Sequence, residues 1–411
     1  MESVPTALVY ILVFISLYFE VFLLLTFLEK RKAIKREESG LMSLAGYPSV
    51  TIIVPCFNEE KTLAKTVNSL LSLNYPKNKL SITIVDDGST DKTWEVAKLF
   101  ENKNGIRLSR KKNGGKHTAL NYALAQTKTE LVGCLDADSF VEKDTLTKIV
   151  KYFEDKEVMA VTPAIKVHNP RKILELVQNA EYNLGIFFRK MLGAIDAIQV
   201  TPGPFSIFRK KVFDDLGPYR EAHNTEDLEM AFRMHESHYK IVNSHKAFVT
   251  TTAPATLKGL YGQRLRWVHG FLENSIDYRH LFLNPKYGNF GMFMLPAAVF
   301  SVLSVLYLVG YTIVNIGMYI SDKILEIRML GVVNSFSVDL FFINTGALTF
   351  LFIAMALISF FMIIAGKRIA EDMKRTHADI AYFFLLYGFI VPLWLFMAVY
   401  NTVLSRKISW R

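Results

Sequence analysis

The sequence predicts an α/β domain with a mostly parallel sheet, combined with about four transmembrane helices. From Val50 onward, short β-branched runs alternate with amphipathic stretches, which is typical of a parallel sheet covered by helices on both faces. Several apolar stretches also exceed the roughly 20 residues that a helix needs to cross the hydrocarbon core. These stretches are 4–27, 287–321, 340–366 and 380–405.

Basic residues predict the orientation of the first apolar stretch. This stretch is too long for a signal-peptide core and lacks a cleavage pattern, so we expect residues 1–29 to remain as an anchor. The basic residues that follow are Lys30, Arg31, Lys32, Lys35 and Arg36. The positive-inside rule puts this end in the cytoplasm. We therefore expect residues 30–290 to form a cytoplasmic domain of a multi-pass plasma-membrane protein.

Residues 291–411 are predicted to form a membrane region with three transmembrane helices. Counting onward from the first span puts the loop 322–339 outside and the next loop inside. The inner loop is basic and contains Lys367, Arg368, Lys374 and Arg375. An outer tail with Arg406, Lys407 and Arg411 fits the same rule badly. A re-entrant C-terminal segment is therefore an alternative to four full crossings.

The net charge of +10 is interpreted as attraction to membrane lipids. Many basic residues flank apolar stretches, where anionic head groups attract them by roughly 1 kcal/mol each, so we expect no nucleic-acid partner. The cysteines are Cys56 and Cys134, both on predicted strands. In a cytoplasmic domain they should be buried, reduced thiols, with no disulfide and no cysteine-based zinc site.

The predicted cytoplasmic domain alternates between strands and helices. The strands are 50–56, 80–86, 130–136 and 158–162, and a short strand is expected within 201–210. The helices between them are 60–73, 91–103, 116–126 and 144–153. Ligands of such sheets bind at the carboxyl ends of the strands, so the residues after each strand are the candidates for function.

Asp136 and Asp138 follow one of these strands directly. Residues two apart along extended backbone point the same way, so the two carboxylates should converge. Paired oxygen ligands suit Mg²⁺ or Mn²⁺ bound to a diphosphate. The alternative is a pair of solvated acids that open a loop.

Other polar residues follow the first two strands and a glycine turn. Pro55 and then Glu59 come at and after the end of the first strand, and Asp87 follows the second. Lys116 follows two glycines at a helix start, where backbone N–H groups and a positive charge favour a phosphate. A simple turn before a helix explains the last pattern equally well.

The region after residue 163 adds further candidates. The segments 170–195 and 255–285 are predicted interfacial helices, although packing on the sheet is an equal alternative for the first. Gly203 precedes a short strand and suits close approach of a ligand to the backbone. Glu226 and Asp227 open a helix, either as capping residues or with Asp227 as a general base.

Gln263, Arg266 and Trp267 occupy positions i, i+3 and i+4 of a predicted helix. This spacing places them on one helix face. Snorkelling arginines and an anchoring tryptophan on an interfacial helix would produce the same pattern.

Taken in order, PCFNEE, DDGST, NGGKHTALN, DAD, PGPFSIFRK, TED and QRLRW resemble the membrane-bound family 2 glycosyltransferases. The resemblance is to the processive β-polysaccharide synthases, such as those of poly-N-acetylglucosamine, hyaluronan, chitooligosaccharide and cellulose. It covers roughly residues 48–280. It implies a nucleotide-diphospho-sugar transferase fold of GT-A type and sugar transfer with inversion.

The resemblance also implies roles for the candidates. Pro55, Glu59 and Asp87 would contact the nucleoside of a UDP-sugar, for which UDP-N-acetylglucosamine is a candidate. The diphosphate would be approached by Lys116 and Arg266. Asp136 would help to hold the nucleotide and, with Asp138, the metal.

For the acceptor side, the resemblance implies Asp227 as the catalytic base. Gly203, Glu226, Gln263 and Trp267 would line the acceptor site. The acceptor would be a growing glycan or, alternatively, a lipid that receives a single sugar. A catalytically silent nucleotide-sugar sensor or scaffold is a third alternative.

Overall fold

The computed structural model describes residues 4–40, 46–101, 103, 105–330, 346–373 and 377–406. Side chains are not described for 4–6, 33–40 and 330, a set that includes Lys35 and Arg36. Several sequence predictions lie outside the described residues. They concern 331–345, Lys374, Arg375, Lys407 and Arg411.

The strands all belong to one sheet. They are β1 (Val50–Cys56), β2 (Leu80–Asp86), β3 (Ile106–Arg110), β4 (Leu131–Cys134), β5 (Ser139–Val141), β6 (Val158–Val167), β7 (Ile207–Arg209) and β8 (Lys240–Thr251). Their spatial order is β3-β2-β1-β4-β7-β6-β8-β5. The β3-β2-β1-β4 part is parallel, and β7 joins it to the parallel pair β6 and β8 through antiparallel contacts.

The helices of the sheet domain connect or flank these strands. They are α2 (Leu63–Leu71), α3 (Thr93–Lys98), α4 (Lys116–Leu124), α5 (Thr145–Val150), α6 (Ile173–Ala194), α7 (Lys210–Leu216), α8 (Glu226–Glu236) and α9 (Leu257–Asp277). The long apolar helices are α1 (Val4–Gly40), α10 (Leu295–Leu330), α11 (Ala347–Ile369) and α12 (Ala378–Val403). A π-helical turn at Phe290–Met294 leads into α10.

The core lies on both faces of the sheet. Alternate residues of β1 enter different apolar clusters, because side chains along a strand point to opposite faces. Ile52 and Val54 pack in one cluster with α2 residues such as Leu63, whereas Ile53 packs in the other with Leu120 of α4. This two-sided burial confirms the predicted covered parallel sheet. Both cysteines are free and buried.

The predicted strands 50–56 and 80–86 have the observed bounds. The predicted strand 130–136 corresponds to β4, which ends at Cys134, so Asp136 lies in the loop beyond it. The strands β3, β5 and β8 were not predicted from the sequence. β3 is a short edge strand with mixed polar residues, β5 has three residues, and the polar residues of β8 hide any strict alternation.

Among the described residues, four helices are long and apolar enough to cross a membrane: Ala7–Lys32, Phe290–Met329, Ala347–Ile369 and Ala378–Val403. The predicted loop 322–339 is wrong in its described part, because α10 remains helical to Leu330. Two of the long helices, α11 and α12, pack against α6, and α12 also packs against α9. The sheet domain and the apolar helices are therefore joined through α6 and α9.

A buried ion pair fastens the junction between α11 and α12 to α6. Lys367 and Asp379 are 0% and 1% exposed, and their charged atoms lie 2.8 Å apart. Asn179 of α6 donates a hydrogen bond to the same carboxylate at 2.8 Å. Buried charges of this kind must be paired, so the three side chains depend on one another.

Replacing Lys367 by Met should destabilise the protein by about 3 to 5 kcal/mol, because Asp379 would keep its buried charge without a counterion. The exposed neighbour Arg368 provides the control, and Arg368→Met should change stability by less than about 0.5 kcal/mol. Denaturant unfolding of both variants in detergent measures the difference. Equal unfolding midpoints would contradict the prediction.

Candidate active site

The loops after β1 and β2 lie side by side at the carboxyl edge of the sheet. The backbone N–H of Asn58 donates to the Ser89 hydroxyl at 3.0 Å. Glu59 accepts a hydrogen bond from the Thr62 hydroxyl at 2.7 Å. Pro55 is buried in β1, one residue before the strand ends. The two loops therefore form one continuous wall at this edge.

Asp87 shapes the loop that leads to α4. Its carboxylate is buried, lies 2.6 Å from the ammonium of Lys111, and accepts from the N–H groups of Gly114 at 3.2 Å and Gly115 at 2.9 Å. We expected these N–H groups to approach a phosphate. They donate to Asp87 instead, because a buried carboxylate requires hydrogen-bond donors.

Lys116 connects three parts of the chain at the start of α4. Its ammonium lies 2.7 Å from a carboxylate oxygen of Asp136 and 3.2 Å from one of Glu226. Burial lowers the pKa of Lys116, but these two carboxylates outweigh burial and hold it well above its usual value. Lys116 is therefore a permanent positive charge between the end of β4 and the start of α8.

Asp227 lies next to this cation. Its carboxylate accepts from the backbone N–H of Gly203 at 3.3 Å, and its carbonyl oxygen accepts from the Thr201 hydroxyl at 2.7 Å. Burial and the neighbouring charge of Glu226 raise the pKa of Asp227 to about 6, against the opposing effect of Lys116. A carboxylate with such a pKa is able to accept a proton near neutral pH.

Asp138 follows Asp136 by two residues, and its carboxylate accepts hydrogen bonds from residues of two strands, β5 and β8. It accepts from the hydroxyl of Ser139 at 3.1 Å and from that of Thr251 at 3.5 Å. Burial, followed by the charge of Asp136, raises the pKa of Asp138 to about 7. A carboxylate in this environment is stabilised by any added positive charge.

The donor set at Asp136 and Asp138 fits a magnesium-type cation. Within the ranges that the structure describes, no cluster of three or more His, Cys, Asp or Glu side chains is arranged around a metal position. Mg²⁺ is commonly held by one or two carboxylates together with substrate phosphates and water. Two partly buried carboxylates with oxygen-only donors match that requirement.

A small, partly open cavity lies beside the Lys116 cluster. Its walls include Lys116, Gly203, Tyr219 and Asp227. A side chain at Gly203 would fill the space between charged groups, because a Cβ there would lie 2.9 Å from both carboxylate oxygens of Asp136. The cavity therefore depends on glycine at this position.

Helix α9 carries the second group of candidates. Arg264, which the sequence analysis did not select, is buried and lies 2.7 Å from a carboxylate oxygen of Glu181 on α6. Its guanidinium also lies 4.2 Å from the ring centre of Trp267 and donates to the side chain of Gln263 at 3.2 Å. Trp267 remains 40% exposed, and Arg266 is partly buried. Arg264 thus fixes the orientation of an accessible indole.

Residues 51–217 match the family described as Glycosyl transferase family 2. This segment is a family 2 glycosyltransferase domain. The chain is 32% identical over 252 residues to poly-beta-1,6-N-acetyl-D-glucosamine synthase of Staphylococcus aureus, a match that covers 60% of each protein. It is also 32% identical over 246 residues to beta-monoglucosyldiacylglycerol synthase of a Nostoc species, covering 59% of this chain and 53% of that relative.

Both matches span less than two thirds of the relative's own length. Among solved structures, a mannosyltransferase from Pyrobaculum calidifontis, in complex with GDP-Man and Mn²⁺, superposes with a TM-score of 0.61. The superposition covers 95% of this chain and 100% of that one at 18% identity. At this identity the likeness concerns the fold, and it confirms the predicted GT-A arrangement with its apolar helices.

The fold brings one set of the predicted site residues together. Lys116, Asp136, Gly203, Glu226 and Asp227 form a single cluster. We expected Glu226 on the acceptor side, and the structure places it against Lys116. The roles of all the candidates remain predictions.

Arg264 could have been found from the sequence, because it precedes Trp267 by three residues on a helix. Its partner Glu181 gives no such signal, since 83 residues separate the two. Lys111 is a similar case, because its contact with Asp87 spans 24 residues.

Replacing Gly203 by Ala should weaken binding of a nucleotide-sugar donor by at least about tenfold. The new methyl group would push Lys116 away from Asp136, and misplaced groups of this kind cost one to two orders of magnitude. Gly185→Ala on α6 is the control, because nothing lies within 4 Å of its Cβ position. Calorimetry measures the donor affinity of each variant. Affinities equal to that of the parent protein in both variants would contradict the prediction.

Proposed function

We propose that the chain is a membrane-bound, inverting glycosyltransferase that extends a β-linked polysaccharide from a UDP-sugar, such as UDP-N-acetylglucosamine. Transfer would take place at the cytoplasmic face of the plasma membrane. The observation that carries the proposal is the cluster of Lys116, Asp136 and Asp227 around the open position at Gly203. The match of residues 51–217 to family 2 supports the proposal, as does the similarity of the chain to the poly-beta-1,6-N-acetyl-D-glucosamine synthase.

The donor would lie at the carboxyl edge of the sheet, with its nucleoside against the wall formed by Pro55, Glu59 and Asp87. Lys116 is a partly buried, permanent cation, so it would attract the diphosphate and stabilise the charge that develops on the leaving group. Arg266 would supply a second positive charge from α9. Glu226 would keep Lys116 in place through its ion pair.

Asp227 would remove the proton from the acceptor hydroxyl. Direct displacement needs a base on the acceptor side and charge neutralisation on the leaving-group side, and Asp227 and Lys116 supply opposite functions within one cavity. The hydrogen bond from Gly203 would fix the carboxylate orientation. No covalent intermediate with the protein is required, which matches inversion at the sugar carbon.

Asp138 and Asp136 would hold Mg²⁺ or Mn²⁺ together with the donor. When bound, this ion would neutralise negative charge on the diphosphate. The side chains of Ser139 and Thr251 would keep Asp138 directed toward that position.

The acceptor would approach over α9. Trp267 exposes 40% of its surface, while Arg264 and Glu181 hold the ring in one orientation. A sugar ring would pack against such an aromatic face. Gln263, beside Arg264, would contribute hydrogen bonds at the same place.

A lipid acceptor is the second candidate. The similarity to the beta-monoglucosyldiacylglycerol synthase favours it, because that relative is as similar to this chain as the polysaccharide synthase is. Packing of α6 and α9 against α11 and α12 would also bring the cavity close to the membrane surface. In this case a single sugar would be transferred to each lipid.

The test is to incubate the purified protein in lipid with Mg²⁺ or Mn²⁺ and radiolabelled UDP-N-acetylglucosamine or UDP-glucose, and to size the product. We expect a high-molecular-weight product from one donor and loss of transfer when the ion is chelated. Label confined to a lipid-sized species would replace polymer synthesis by glycolipid synthesis. Donor binding without transfer or hydrolysis would identify a sensor or scaffold.

Replacing Asp227 by Asn should preserve donor binding and lower kcat by about 100-fold to 10,000-fold, which is the usual contribution of a placed base. In the parent protein, kcat should fall as the pH decreases through about 6, because protonation of Asp227 removes the base. Rates and donor affinity measured from pH 5 to 8 check both statements. Unchanged turnover in the Asn variant would refute the assignment.

A further inference from the structure

The turn before Asp227 has an unusual backbone. Three consecutive residues, Ala222, His223 and Asn224, have φ values of 46°, 54° and 63°, in the left-handed region. Residues other than glycine rarely occupy this region, and they remain there only where surrounding contacts hold them. The contacts that maintain this turn therefore determine where α8, and Asp227 with it, begins.

One face of α9 supplies these contacts. The side-chain N–H groups of Asn274 donate to the carbonyl of Ala222 at 3.3 Å and to the hydroxyl of Thr225 at 3.0 Å. Asp277 lies 2.9 Å from the ring nitrogen of His223. Asn274 and Asp277 lie three residues apart and thus share a helix face.

Two further residues extend the same face of α9. Gly270 packs so closely on Thr225 that any Cβ there would collide with its side chain. The Tyr278 hydroxyl donates to Glu229 of α8 at 2.6 Å. Three positions of α9, at i, i+4 and i+7, and the residue directly after the helix therefore contact the turn and the first residues of α8.

We propose that Asn274 is a positioning residue, which holds the left-handed turn 222–224 so that Asp227 faces the cavity. This inference rests on the proposed function of Asp227. Asn274 is 1% exposed and is not part of the cavity lining, so it would act through the turn and not by touching the substrate.

The same contact would couple the acceptor side to the base. Trp267 and Asn274 belong to one continuous helix, and α9 packs against α12 of the membrane region. A rigid helix moves as a unit. Displacement of α9 by an acceptor or by α12 would therefore reach the turn through Asn274.

The test compares Asn274→Ala with Ser275→Ala in the full-length protein in lipid. Ser275 is buried in the same helix, but its hydroxyl donates only within α9, to the carbonyl of Phe271, so it is a matched control. We expect Asn274→Ala to lower kcat by about 10-fold to 100-fold, with a donor KM within about threefold of the control. Gly270→Ala, whose new methyl group would displace the Thr225 side chain directly, should give the same division between kcat and KM.

Hydrogen exchange gives a readout that does not need activity. Backbone amides of residues 222–227 should exchange about fivefold faster in Asn274→Ala than in Ser275→Ala, because the hydrogen bonds from Asn274 to Ala222 and Thr225 are lost. Equal kcat in the two variants, or equal loss of kcat and of donor affinity, would overturn the proposal. Absence of transfer by the parent protein would instead refute the proposed function.

Discussion

The site depends on the ion pairs that the partly buried ammonium of Lys116 makes. This ammonium joins the start of α4 to Asp136 beyond β4 and to Glu226 at the start of α8. These elements are distant in the sequence, and only their packing at the carboxyl edge of the sheet brings them together. Removing one member would leave an uncompensated charge in a partly dehydrated place, so the three side chains form a unit.

The crowding of carboxylates around this unit also explains why the pKa values of Asp138 and Asp227 are raised. Asp136, Asp138, Glu226 and Asp227 carry more negative charge than Lys116 can neutralise, and burial together with mutual repulsion raises the pKa of Asp138 and of Asp227. The consequences differ at the two ends. At Asp138 a divalent cation beside the diphosphate would offset the excess, whereas at Asp227 the raised pKa favours acceptance of a proton.

Much of the fold was predictable because its signals are local. Two parallel strands have the predicted bounds, and the apolar stretches correspond to long helices, since both depend on residues close together in the chain. The strands β5 and β8 were missed because β5 has only three residues and polar residues interrupt the alternation of β8. Likewise, Asp136 and Asp138 were found from their spacing, whereas the use of the Gly114 and Gly115 amides by Asp87 required the folded loop.

The contacts made by α9 show why the remainder could not be derived from the sequence. Arg264 meets Glu181 across 83 residues, and Asn274 meets Thr225 across 49. No local sequence pattern around Glu181 or Thr225 indicates these contacts. Yet these contacts hold the exposed indole of Trp267 and the turn before Asp227, while the same helix packs against α12. Helix α9 contacts the turn before Asp227 and α12, and it carries Trp267. The position of the expected base therefore depends on the same helix that attaches the sheet domain to the apolar helices.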